Sequence, residues 1–215
     1  MTDQMTRICL VRHGETQWNT HRRLQGHLDI PLNATGRAQA TATADALRAE
    51  RFTAIYTSDL ARAQQTATAI ADTGHPPPSA TPALRERHYG VFQGLTHDEA
   101  RVRHPDAWQR FRARDPAFVL PGNGESLTQL HQRVAALLET LRERHRGEQV
   151  LLVTHGGVLD IAHRIAAGLA LEAPRNFPIP NAAINRIIHD GEQWRMLEWA
   201  TQQHLGNTLD ELPNT

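Results

Sequence analysis

Near its N-terminal end the chain carries Ile8, Cys9, Leu10 and Val11 with no polar break between them. The run predicts a strand over Thr6 to Leu10, and a continuous apolar stretch of that length suits a strand covered on both faces, as in a parallel sheet. A polar loop follows from Glu15 to Asn33, then an alanine-rich helix from Thr35 to about Arg51 with Ala38, Ala42 and Leu47 near one stripe. Ala54 to Thr57 reads as a second strand, and Ser58 as the N-cap of a helix to about Asp72 whose apolar stripe is Leu60, Ala63, Ala67 and Ile70. Gly74 and Pro76 to Pro78 close that helix, and Ala80 to Leu84 reads as a short extended segment.

The pattern then changes. From Leu95 to Asn123 the chain holds His97, His104, Trp108 and Phe111 among arginines, with helical propensity interrupted at Pro105 and Pro116. This predicts an inserted cap of one or two short helices outside the central sheet. Ser126 and Gln129 form a capping-box pair, and Leu127, Leu130, Val134, Leu137, Leu138 and Leu141 give the strongest helical period in the chain, to about Arg146. Gln149 to Thr154 is another apolar strand, ending in His155-Gly156-Gly157 before a helix from Val158 to Ala167. Two final strands, Ala183 to His189 and Gln193 to Trp199, are joined at Asp190-Gly191, a hairpin signal. Strands alternating with helices predict an α/β sandwich with a largely parallel sheet and some antiparallel character at one edge. At 215 residues this is one domain spanning 1–215, with the cap inserted at about 95–123.

Composition narrows the chemistry. Formal charges cancel, which gives no reason to expect a nucleic-acid or anionic-membrane binder. All 23 residues counted as lysine or arginine are arginine, so a lysine cannot serve as base, Schiff-base former or phosphate ligand. The one cysteine, Cys9, lies inside the first predicted strand and reads as a small buried hydrophobe, not a nucleophile or thiolate ligand. Residues Met1 to Thr6 lack the features of a signal peptide, and no apolar run approaches spanning length, so a cytoplasmic protein is expected. Homodimer formation is left open.

In open α/β sheets ligands sit beyond the carboxyl ends of the strands. The first predicted strand ends in Arg12-His13, the second in Thr57-Ser58 with Arg62 one turn into its helix, and a later one in His155-Gly156-Gly157 at a helix start. A lone Arg-His pair reads most simply as a polar loop; the joint occurrence of two histidines and two arginines is harder to dismiss. Arginine forks match phosphate oxygens, a helix start offers amide donors to an anion, and neutral imidazole is a nucleophile toward phosphorus. A leaving alkoxide then needs a proton, for which Glu86 is a candidate; a solvated charge between Arg85 and Arg87 is the alternative, and spacing alone does not choose.

Leu10-Val11-Arg12-His13-Gly14-Glu15-Thr16 with Trp18-Asn19 resembles the signature of the histidine phosphatase superfamily, the phosphoglycerate mutase-like proteins. The resemblance continues through Gln25-Gly26, Asp29, Pro31-Leu32, Gly36-Arg37, Thr57 to Ala63, Leu84-Arg85-Glu86, Gly90 to Gly94, Gly124-Glu125-Ser126 and Val153 to Gly157, and so covers essentially the whole chain. It implies an α/β sandwich with a mainly parallel, six-stranded sheet. It also implies His13 as the nucleophile that becomes phosphohistidine, with Arg12, Arg62 and His155 holding the phosphoryl oxygens, and Glu86 as the acid and then the base. Asn19, Gln25 and Gly156 would add phosphate contacts. No metal or cofactor is implied, and the partner is a small phosphorylated substrate. Glu15 reads as a residue ordering its loop, Tyr89 either touches substrate or packs under the cap, and His97 and His104 line or decorate the cap.

The glycolytic mutases that resemble this chain carry a lysine and adjacent arginines in a longer insertion; here no lysine exists, and Arg110, Arg112 and Arg114 alternate. The stretch from Gly90 to Thr96, Glu99-Ala100 and the segment from Asp115-Pro116 to Pro121 look more like the bacterial phosphatase branch. The expectation is therefore a metal-independent phosphomonoesterase, with a phosphoglycerate mutase and a catalytically inactive phospholigand- or partner-binding relative as alternatives. An acid that acts protonated also predicts higher activity in mildly acidic to neutral buffer than in alkaline buffer.

Overall fold

The computed structural model of the protein describes residues 5–206; the reading of the first residues and the outer limits 1–215 extend beyond these. Strand β1 (Thr6–Arg12) is followed by a short helix α1 (Gln17–Thr20), helix α2 (Ala34–Leu47), β2 (Ala54–Thr57), α3 (Ala61–Ala71) and β3 (Pro78–Ala80). Helices α4 (His97–Arg103) and α5 (Pro105–Arg112) come next, then α6 (Leu127–Arg144), β4 (Gln149–Thr154), α7 (Gly156–Ala167), β5 (Ile184–His189) and β6 (Trp194–Thr201). The six strands form one sheet in the order β3-β2-β4-β1-β5-β6. The pairs β2–β3, β2–β4 and β1–β4 are parallel, whereas β1–β5 and β5–β6 are antiparallel. The fold is the expected α/β sandwich.

Side chains alternate across a strand, so the unbroken apolar run of β1 serves two cores. Ile8 and Leu10 join Val150, Leu152 and Ile187 on one face of the sheet, under Leu130, Val134 and Leu138 of α6 and Leu159 and Ile161 of α7. Cys9 and Val11 join Ile55, Leu151 and Val153 on the other face, under Ala44 and Leu47 of α2 and Ala63, Ala67 and Ile70 of α3. The alanines of α2 and α3 sacrifice buried area but bring both helix backbones close to the sheet. A third cluster lies apart from the sheet: Phe92, Ala100, Phe111, Phe118 and Leu120 with Leu24 and Tyr89. It holds the two short helices of segment 95–123, the second of which begins at Pro105, a proline at its first turn.

Several expectations are corrected. Ser58 does not cap α3: the N-cap is Leu60, without a side-chain cap bond, and Ser58 Oγ instead accepts from Leu60 N–H at 3.3 Å. The segment from Ala80 to Leu84 is divided: the strand is Pro78–Ala80, and Pro82–Leu84 is a 3-10 turn capped by Thr81. The polar loop from Glu15 conceals α1, closed by a reciprocal Thr16–Asn19 capping box. Helix α2 stops at Leu47, before Arg51, and α7 starts at Gly156, two residues earlier than periodicity indicates, because glycine carries no hydrophobic signal. Among the described residues no helix is long and apolar enough to cross a membrane.

Candidate active site

Strand register brings the site together. β1 and β4 are parallel neighbours with Arg12 opposite Thr154, so the two chains leave the sheet side by side and His13 N–H donates to Thr154 O at 2.9 Å. The His13 and His155 rings lie with centroids 5.0 Å apart. Thr57 of β2 pairs with Val153, which sets α3 beside them and delivers Arg62 from its first turn. His13, His155, Arg12, Arg62 and Glu86 are all buried. The sheet order therefore converges the residues that the strand ends suggested.

Hydrogen bonds define which nitrogen of each imidazole is available. His13 Nδ1 lies 2.7 Å from Gly14 O, an acceptor only, so Nδ1 carries the proton and Nε2 keeps its lone pair. His155 Nδ1 accepts from Arg62 Nε at 3.2 Å, which puts the proton of its neutral form on Nε2. His155 Nε2 is buried with no hydrogen-bond partner among the described residues. One imidazole thus offers a nucleophilic lone pair and the other a donor. Burial holds the pKa of both well below the ordinary 6.5, and the Arg62 charge and then, for His13, that of Arg12 add to the effect. For His155, His13 and Arg12 follow Arg62.

The arginines are anchored by backbone carbonyls. Arg62 Nη1 donates to Leu28 O at 2.9 Å and Nη2 to Gly26 O at 2.8 Å. Arg12 Nη1 donates to Ile179 O at 2.5 Å, and Asn181 Nδ2 donates to His13 O at 3.0 Å. The segment ahead of β5 thus braces the end of β1 that carries Arg12 and His13, a contribution that no periodicity in the sequence signalled. Gly14 runs so close to Gly36 that a Cβ at either position would strike backbone oxygen. Gly14 N–H also donates to Thr66 Oγ1 of α3 at 3.1 Å.

Glu86 is not a solvated charge. Its Oε1 accepts from Arg87 N–H at 2.7 Å and from Gly157 N–H at 2.9 Å, so a proton on this carboxyl belongs on Oε2. A Cβ on residue 157 would collide with Oε1, which explains the second glycine of the His155-Gly156-Gly157 turn. Gly156 occupies the first position of α7, where the helix supplies no acceptor for its N–H. Asn19 is buried, and its Oδ1 accepts from Thr16 N–H and Oγ1, both at 2.9 Å. Gln25 is buried in the loop that also supplies Gly26 O and Leu28 O to Arg62.

Glu15 has the loop-ordering contacts expected of it: Oε1 accepts from Asn33 Nδ2 at 2.7 Å and from Thr20 Oγ1 at 3.2 Å. Tyr89 packs edge-on against Phe111 beneath the short helices. His97 packs against Trp108 and His104 against Phe92.

The histidine phosphatase superfamily (branch 1) model matches residues 8–202. The chain belongs to this superfamily. It is 39% identical over 207 residues to a metal-independent phosphoserine phosphatase of Arabidopsis thaliana, covering 95% of this chain and 85% of the relative. It is 36% identical over 214 residues to a probable phosphoglycerate mutase GpmB of Enterobacter sp. (strain 638), covering 97% and 99%. Bacillus stearothermophilus YhfR superposes with a TM-score of 0.84 at 34% identity, covering 93% of this chain and 98% of that structure. The superfamily match spans β1 through β6, and hence every strand end that forms the site.

Proposed function

We propose that the protein is a phosphomonoesterase that hydrolyses small phosphate esters through a phosphohistidine on His13. The observation that carries this reading is the pairing of a buried imidazole having an available Nε2 with a buried carboxyl held by two backbone amides. In the first step His13 Nε2 attacks phosphorus, the bond to the ester oxygen breaks, and Glu86 Oε2 gives its proton to the departing alkoxide. In the second, Glu86 takes a proton from water as its oxygen attacks phosphorus, the Nε2–phosphorus bond breaks, and inorganic phosphate leaves. Arg12, Arg62, His155 Nε2–H and the Gly156 amide meet the charge on the phosphoryl oxygens, with Asn19 and Gln25 as further donors.

Segment 95–123 acts in this reading as a cap, within one domain, that selects the ester. The alternating arginines of the cap diverge. Arg110 pairs with Asp115, Arg114 is buried against Asp160 at 2.7 Å, and Arg112 lies over Trp108. They do not form a paired clamp for a second acidic group, which favours hydrolysis over mutase chemistry. The relative named for phosphoserine makes phosphorylated hydroxy- and amino-acids the first esters to test. The test is product partition with and without EDTA. Free phosphate should exceed 2-phosphoglycerate from 3-phosphoglycerate, and turnover should survive chelation. Faster isomerisation than hydrolysis would reverse the choice, and loss of activity on chelation would contradict metal independence.

A further inference from the structure

The Gly124-Glu125-Ser126 motif and the helix behind it have no part in the chemistry above, yet they converge on the acid. Arg133, two turns into α6, spends all five guanidinium N–H groups inside the protein. Nε donates to Glu125 Oε1 at 3.0 Å and Nη2 to Glu125 Oε2 at 2.8 Å, a bidentate pair. Nη1 donates to Ala83 O at 2.8 Å and to Arg85 O at 2.9 Å, and Nη2 reaches Glu86 O at 3.4 Å. With no donor left over, Arg133 is unsuited to bind substrate. It gathers the three carbonyls that lead into and include Glu86.

Glu125 grips the same loop from its other end. Its N–H donates to His88 O at 2.8 Å, and its carbonyl accepts from Arg87 Nε at 2.8 Å. The Ser126–Gln129 capping box sets where α6 begins and thereby fixes Glu125 and Arg133 relative to each other. Since Glu86 Oε1 is held by the amide of Arg87, the position of the carboxyl depends on the backbone that this pair constrains.

We propose that Glu125 and Arg133 are positioning residues that hold the Glu86 carboxyl in proton-transfer geometry toward the leaving oxygen. This rests on Glu86 being the acid. The Arg133 donors are all spent on Glu125 and on backbone carbonyls, so loss of the pair should spare phosphate binding and attack by His13 while weakening protonation of the leaving group. An ester with a poor leaving group needs that proton; a nitrophenyl ester needs little.

The test compares Arg133→Met, Arg133→Lys, Glu125→Gln and Glu86→Gln on an alkyl phosphate and on nitrophenyl phosphate, with inorganic phosphate inhibition and thermal melting alongside. A misplacement near 1 Å costs about 100-fold, so Arg133→Met should lose about 10- to 100-fold on the alkyl ester and under about 3-fold on the nitrophenyl ester, with the phosphate inhibition constant unchanged. Arg133→Lys should fall with Arg133→Met, because a point charge cannot bridge a carboxylate and three carbonyls. If Arg133→Met does not fold, Glu125→Gln, which keeps size and removes one side of the clamp, carries the same comparison. If Glu86→Gln is leaving-group selective while the Glu125 and Arg133 variants lose activity equally on both esters, or not at all, the positioning role is overturned. Full rescue by Arg133→Lys would likewise overturn it. If Glu86→Gln itself shows no selectivity, the acid assignment falls and the clamp with it.

Discussion

Acidification from about pH 7 to about pH 5.5 should weaken the fold by an amount traceable to His13. In the unfolded chain a histidine takes up a proton near its ordinary value of 6.5, whereas His13 and His155, buried beside two guanidinium groups, resist protonation until well below it. Between the folded and unfolded values the unfolded state binds more protons, so stability is full above about pH 6.5 and falls as the pH drops toward the folded value. For one histidine that stays neutral in the fold, the loss between these two pH values is RT ln(11/1.3), or about 1.3 kcal/mol. Two such groups lose about 2.5 kcal/mol. Urea unfolding of wild type and His13→Gln at both pH values isolates this contribution: the variant should lose less on acidification, by up to about 1.3 kcal/mol. His27, His163 and His204, whose pKa values are also lowered, contribute equally to both proteins and cancel. Parallel losses in the two proteins would refute a buried, neutral His13, and with it the available Nε2 lone pair at neutral pH.

Two further outcomes follow from the packing around the site. Gly157→Ala should leave stability nearly unchanged, because alanine favours the helix by about 1 kcal/mol over glycine while one hydrogen bond of similar worth is strained. It should nonetheless reduce kcat on alkyl esters by about 100-fold, since its Cβ displaces the Glu86 carboxyl; wild-type kcat in the folded variant would be inconsistent with the contact. Arg62→Lys removes the fork that serves His155 Nδ1, Leu28 O and Gly26 O. It should cost about 2–3 kcal/mol in urea unfolding and weaken inhibition by inorganic phosphate about 10- to 100-fold, and unchanged phosphate inhibition would remove Arg62 from the anion site.

The strands were legible because burial on both faces leaves a simple mark: Ile8 to Val11 and Val150 to Val153 read as strands and are strands, one residue of each pair feeding each core. The convergence of the candidate site residues was legible for a related reason, since Arg12-His13 and His155 interrupt apolar runs abruptly and parallel register aligns those interruptions. Ser58 misled because a serine before a helix suggests a cap, whereas here the chain bends through Asp59 and Leu60 before the helix begins and the hydroxyl accepts from Leu60 N–H. Helix α1 was illegible: four residues, closed by Thr16 and Asn19 side chains, have no room for a hydrophobic period. The supports of Glu86 were hidden for another reason. Arg133 binds backbone carbonyls, and Gly157 N–H the Glu86 carboxyl, of a segment more than 45 residues away in sequence, and no local pattern records such contacts.

A phosphohistidine on His13 is a covalent species and can be trapped as one. Rapid mixing with a phosphomonoester labelled on phosphorus, quenched in alkali to preserve phosphoramidate, should place label on the protein within one turnover. The label should be acid-labile, map to His13 and be absent from His13→Ala. Label of full yield in His13→Ala, or turnover in that variant at the wild-type rate, would contradict the account.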